Sequence, residues 1–133
     1  MNRFPTELAN VALSPAECAE QGGVALYKVT ADFPYLSDAF GQITVPAGLI
    51  TDFASIPRAA LWYVKDDDPC ILYPSVVHDW LYTMRGVLPG RAALTRAECD
   101  AVLREAMIYC GARADQSATV YAAVRMFGGR HWA

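Results

Sequence analysis

The stretch LTRAECDAVLREAMIYCG, residues 94–111, decides how the second half of this chain folds. Thr95-Arg96-Ala97-Glu98 fits the capping box, in which the Thr hydroxyl and the Glu carboxylate satisfy each other's backbone amides at a helix start. Cys99, Val102, Leu103, Ala106 and Cys110 then recur at helical spacing and give one apolar face. Gly111 ends the run, where a left-handed residue commonly closes a helix. The spacing predicts a helix over 95–110.

The same helical character holds on both sides. Upstream, RGVLPGRAAL (85–94) carries two glycines and a proline and reads as a loop. Before it, Pro74 suits the first turn of a helix over about 74–84, with Val77, Leu81 and Met84 as its buried stripe. Downstream, a third helix is expected over about 115–127, ending at Gly128-Gly129. The first half of the chain differs. VALYKVTADFPY (24–35) alternates, is rich in β-branched and aromatic residues, and reads as a strand. GQITVPAGLITDF (41–53) reads as a strand pair broken at Pro46-Ala47-Gly48. ASIPRAALWYV (54–64) is extended up to Pro57, with a short helix after it. Strands first and helices later predict an α+β fold: a β-rich half over about 24–64 packed on a helical hairpin and a third helix.

Size and composition fit one domain over 1–133. The chain has 133 residues and is 54% hydrophobic, enough for a core and against disorder. The net charge is −3 and the eleven Lys and Arg form no run, which argues against nucleic acid as a partner. No apolar stretch is long enough to span a bilayer. The opening MNRFPTELANVALSPAE has no uninterrupted apolar core of a signal peptide, so nothing directs the chain through a secretory route by itself and a cytoplasm is expected when it is made. Cysteines stand at 18, 70, 99 and 110, with no C-x-x-C pair. Cys99 and Cys110 are three turns apart on one helix, too far to bridge. The four read as small apolar residues kept reduced.

The heptapeptide VVHDWLY (76–82) sets His78, Asp79 and Tyr82 inside an apolar run. If the loop joins the two helices as an antiparallel hairpin, His78 and Asp100 come to nearly the same height. Tyr82, four residues on, shares the face of His78. Asp79 points about 100° around. A His held by a buried Asp is fixed in one tautomer and can take a proton from water. A neighbouring carboxylate can hold a hard cation that polarises a carbonyl. The other reading is a polar helix pair in which His78 and Asp100 satisfy each other and do no chemistry. Asp52 is a candidate further metal ligand or a turn cap, and Arg58 a candidate anion contact. Ser55 lacks a G-x-S-x-G setting. KDDDP (65–69) lacks the alternation and the glycine of a calcium loop and reads as solvated.

Four segments carry a resemblance: VPAGLITDFASIPR (45–58), HDWLY (78–82), LTRAECDAVLREAM (94–107) and YAAVRMFGGRHW (121–132). They resemble a family of small phage and prophage proteins, the domain of unknown function 1353 family, over roughly residues 24–132. That resemblance implies a phage or prophage origin and no settled activity; a tail or baseplate component, with other phage structural proteins as partners, is one reading compatible with it. A second, local resemblance is to the catalytic helices of secreted and viral phospholipases A2, where an H-D-x-x-Y helix packs antiparallel to a helix carrying an Asp. It implies that His78 is a general base, Asp79 a calcium-holding carboxylate, Tyr82 a supporting phenol and Asp100 the partner of the histidine. Asp52-Phe-Ala-Ser55-Ile-Pro57 is loosely similar to a D-G-C-S-x-x-P stretch of bacterial and fungal members. Calcium as cofactor and a lipid or cell-envelope ester as substrate follow from that resemblance. The chain departs from it in lacking a Y-x-G-x-G calcium loop and in having Leu81 where a disulfide cysteine is usual. Two functions are therefore carried forward: a virion-associated component, and a calcium-assisted ester or phospholipid hydrolase.

Overall fold

The computed structural model describes residues 3–20, 27–51 and 69–132. In chain order the described elements are β1 (Asn10–Ala12), α1 (Pro15–Glu20), β2 (Tyr27–Val29), β3 (Phe33–Ser37), β4 (Gly41–Val45), β5 (Ile50–Thr51), α2 (Pro69–Thr83), α3 (Arg96–Cys110), α4 (Ala114–Phe127) and α5 (Gly129–Trp132). A β-rich first part and a helical second part make this an α+β fold. Asp52, Ser55, Arg58, the KDDD run and the short helix expected after Pro57 lie outside the described residues.

The strands form two small antiparallel sheets. One has the order β1-β2-β5 and the other is the β3-β4 hairpin. β3 buries Phe33, Tyr35 and Ser37 and leaves Pro34 and Leu36 half-covered, the alternation of a strand with one face on a core. The expected strand over 24–35 is two strands, because the chain turns between Val29 and Phe33. Asp32 stabilises that turn by accepting from the Ala47 N–H at 2.9 Å. The expected break at 46–48 is present, yet β4 and β5 go to different sheets and do not pair with each other.

α3 starts and stops where the sequence places it. The Thr95 hydroxyl accepts from the Glu98 N–H at 3.1 Å, and the Glu98 carboxylate accepts from the Thr95 N–H at 2.9 Å. Gly111 is left-handed at φ 107°, a conformation costly for any residue with a Cβ. α2 is longer than expected: it begins at Pro69 and holds Pro74 in its interior. Pro69 takes the first-turn position that suits a proline. Pro74 supplies no N–H to the Cys70 carbonyl one turn back, so the first turn of α2 lacks one of its usual bonds.

α2 is the central element. Residues 74–78 are all buried, so this helix is covered on more than one side. On one side Val76, Val77 and Leu81 join a core with Phe4, Phe33, Tyr35, Ile43 and Val45. Phe4 stacks on Phe33 at 5.3 Å, and Tyr73 meets Phe33 edge-on at 5.2 Å. On the other side Ile71 joins Leu103, Met107, Val120 and Val124 of α3 and α4. Each such side chain contributes about 1.5–3 kcal/mol by leaving water. α2 and α3 run antiparallel, and a Leu94 N–H to Gly86 carbonyl bond of 2.9 Å closes the loop between them. The Tyr35 hydroxyl donates to Glu105 at 2.5 Å and fastens β3 to α3.

Candidate functional site

The α2–α3 register brings polar groups together in the middle of the hairpin. His78 Nε2 lies 2.7 Å from Asp100 Oδ1. The Tyr82 hydroxyl donates to the same oxygen at 2.5 Å. The His78 and Tyr82 rings, one turn apart on α2, are 4.2 Å centre to centre. His78 and Asp100 have no exposed surface, and Tyr82 has almost none.

A third helix completes the carboxylate. Arg125 of α4 donates to Asp100 Oδ2 at 2.8 Å. Its own side chain is 36% exposed, so one end of this ion pair reaches solvent while the other is sealed. Arg96, one turn before Asp100 on α3, donates through Nε to the Tyr82 oxygen at 3.1 Å. Its other arm donates to the carbonyls of Val124 at 2.6 Å and Arg125 at 3.0 Å, in the last turn of α4. There it satisfies acceptors that a helix end leaves open and meets the negative end of the helix dipole. Trp132 of α5 covers the Tyr82 ring edge-on at 5.3 Å. Gly128 makes room for this crossing: a Cβ there would come within 2.5 Å of the Val124 carbonyl and 3.1 Å of the Tyr82 hydroxyl.

The electrostatics follow from the contacts. Burial pushes the Asp100 carboxyl up. The hydrogen bonds from His78 and Tyr82, and the Arg125 guanidinium, outweigh it and hold the group below the usual aspartate range. Burial and the bond to Asp100 push the Tyr82 phenol well above its ordinary value. The same carboxylate holds Arg125 firmly charged. Beside them, burial and the neighbouring acids Asp100 and Glu98 push the Cys99 thiol up to about 12, which makes it inert.

The structure thus brings together His78, Tyr82 and Asp100. Asp79 is half-buried and turned away from His78 along the helix, and Asp52 lies outside the described residues. Among the described residues no group of three or more His, Cys, Asp or Glu side chains converges to hold a metal. Trp80, next to Asp79 on α2, is partly buried and packs against the core. Its Nε1 is buried with no hydrogen-bond partner among the described residues. Sequence reasoning missed Arg96 and Arg125. Arg96 was read only as filler in the capping box. Arg125 stands just before Gly128-Gly129, where a basic residue in a last turn is ordinary.

A closed network of this kind can do one thing well. It cross-links α2, α3 and α4 through a single carboxylate whose two oxygens take three donors. Buried groups satisfied so completely make a core specific, and removing any member leaves the others exposed to a low dielectric. A family model described as a protein of unknown function, DUF1353, matches residues 27–124. No curated protein and no solved structure matches the chain.

Proposed function

The chain belongs to the DUF1353 family, and from that membership we propose that it is a non-catalytic component of a phage particle, in a tail or baseplate, whose His78–Tyr82–Asp100–Arg125 network locks its helices. The observation that carries the lock is the saturation of Asp100: three donors from two other helices occupy it, at zero exposure. The particle setting is supported by the likeness of residues 45–58, 78–82, 94–107 and 121–132 to small phage and prophage proteins. No helix of the described residues is long and apolar enough to cross a membrane.

A second reading draws on the 2.7 Å contact between His78 and Asp100. A His fixed by an Asp is the arrangement of a general base, and an ester or phospholipid would be the substrate. That reading requires the enclosed imidazole to become accessible to water and substrate.

One comparison separates the two. Particles purified from an induced host are expected to contain the chain in fixed copy number by quantitative mass spectrometry. The pure protein is expected to release no fatty acid from phospholipid vesicles and no alcohol from simple esters, with calcium or with chelator. Absence from particles removes the structural role. Turnover that vanishes in a folded His78→Ala variant replaces the lock with the hydrolase.

A further inference from the structure

Three bonds mark the facing of α2 and α3: Tyr82 with Arg96, His78 with Asp100, and Cys70 with Cys110. The positions step along the two helices in opposite directions, as an antiparallel pair requires. The first two serve the network. The third sits at the open end of the hairpin, away from the loop that joins the helices. There the Cys70 Sγ–H donates to the Cys110 carbonyl at 2.8 Å. Both residues are thiols here and both are partly exposed. Cys99, the other cysteine of α3, is sealed in the core.

We propose that Cys70 and Cys110 are a redox modification site, oxidised to a reversible disulfide that staples the open end of the α2–α3 hairpin. This goes beyond the lock and does not depend on it. The Cys70 sulfur already touches the residue it would join, and bridging needs the two Cα atoms within about 7 Å. The backbone there can adjust. Cys110 is the last residue of α3, and Pro74 removes one helical bond from the turn that holds Cys70. With oxidised glutathione as the oxidant, one cysteine thiolate attacks a glutathione sulfur and expels a glutathione thiolate. The second cysteine thiolate then attacks the mixed disulfide and expels the other glutathione. The two cysteines are oxidised, the glutathione disulfide is reduced to two thiols, and the two cysteine protons end on them. Such a site is reduced in a cytoplasm and closed outside it.

The test treats the full reduced chain with oxidised glutathione. The expected product is a monomer lighter by two hydrogens, with one Cys70–Cys110 bridge in a non-reducing peptide map. Its Tm should rise by roughly 10 °C, as closing a long loop predicts, and dithiothreitol should reverse the change. Cys70→Ser and Cys110→Ser should each abolish bridge and Tm rise, while Cys99→Ser keeps both. If a serine variant misfolds, the wild-type map and Tm still decide. Glutathione adducts on both cysteines without a bridge, a bridge to Cys18, or a bridged form with no gain in Tm overturns the proposal.

Discussion

Asp100 takes donors from His78, Tyr82 and Arg125, and these neighbours are unequal. Asp100→Asn removes the negative charge but leaves an oxygen for His78 and Tyr82. The guanidinium it abandons is 36% exposed and can turn to water. That change should cost about 2 kcal/mol. Arg125→Met instead leaves a carboxylate buried with no cation, and should cost about 3–5 kcal/mol. Urea unfolding of both variants checks the order, and an equal or reversed order would show that the buried charge is not what Arg125 serves. The same residue sets an acid limb. A carboxyl held below its usual value in the fold gives stability that is complete above the unfolded value, near 3.9, and is lost as pH falls through the folded one. Wild-type stability should therefore drop below about pH 4, and the Asp100→Asn variant should lose less over the same range. From sequence, the His78–Tyr82–Asp100 contact was legible because helical spacing and hairpin geometry alone bring those positions together. Arg125 was not, since nothing in a run of residues says how a third helix crosses two others.

At the scale of elements, helix ends were more legible than strand partners. Thr95 and Glu98 announce α3 because an apolar stripe follows them. Thr95→Ala should cost about 1 kcal/mol in thermal unfolding, through the lost hydroxyl to the Glu98 N–H. The same signature at Ser14-Pro15-Ala16-Glu17 caps α1 with bonds of 3.1 and 3.2 Å. That signature is silent in sequence because the helix has six residues and no apolar stripe to flag it. Ser14→Ala is accordingly expected to leave global stability nearly unchanged. Alternation marks 24–35 as extended chain, but a period of two carries no information about which strand lies alongside. That is why β4 and β5 read as one pair and fold into two sheets. The start of α2 shifted to Pro69 because two prolines compete for the first-turn position, and the earlier one takes it.

At the scale of the molecule, the helices cross where side chains are smallest. Gly128 sits under the Tyr82 hydroxyl and the Arg96 guanidinium, in ordinary right-handed backbone. A methyl group there has no room, so Gly128→Ala should lower the Tm by several degrees through steric displacement of α5 and the network together. Retention of the wild-type Tm would mean that the crossing is looser than the contacts indicate. The α+β class was legible from the change of period near residue 70. The second core between α2, α3 and α4 was not, because a helix covered on two sides loses the single stripe that sequence patterns detect.

The carboxylate at position 100 and its only guanidinium partner among the described residues are separated by 25 positions along the chain. A ribosome therefore delivers the anion well ahead of its counter-ion. Until the fourth helix is synthesised, closing the hairpin would bury an uncompensated charge, so final consolidation waits on the late arrival of position 125.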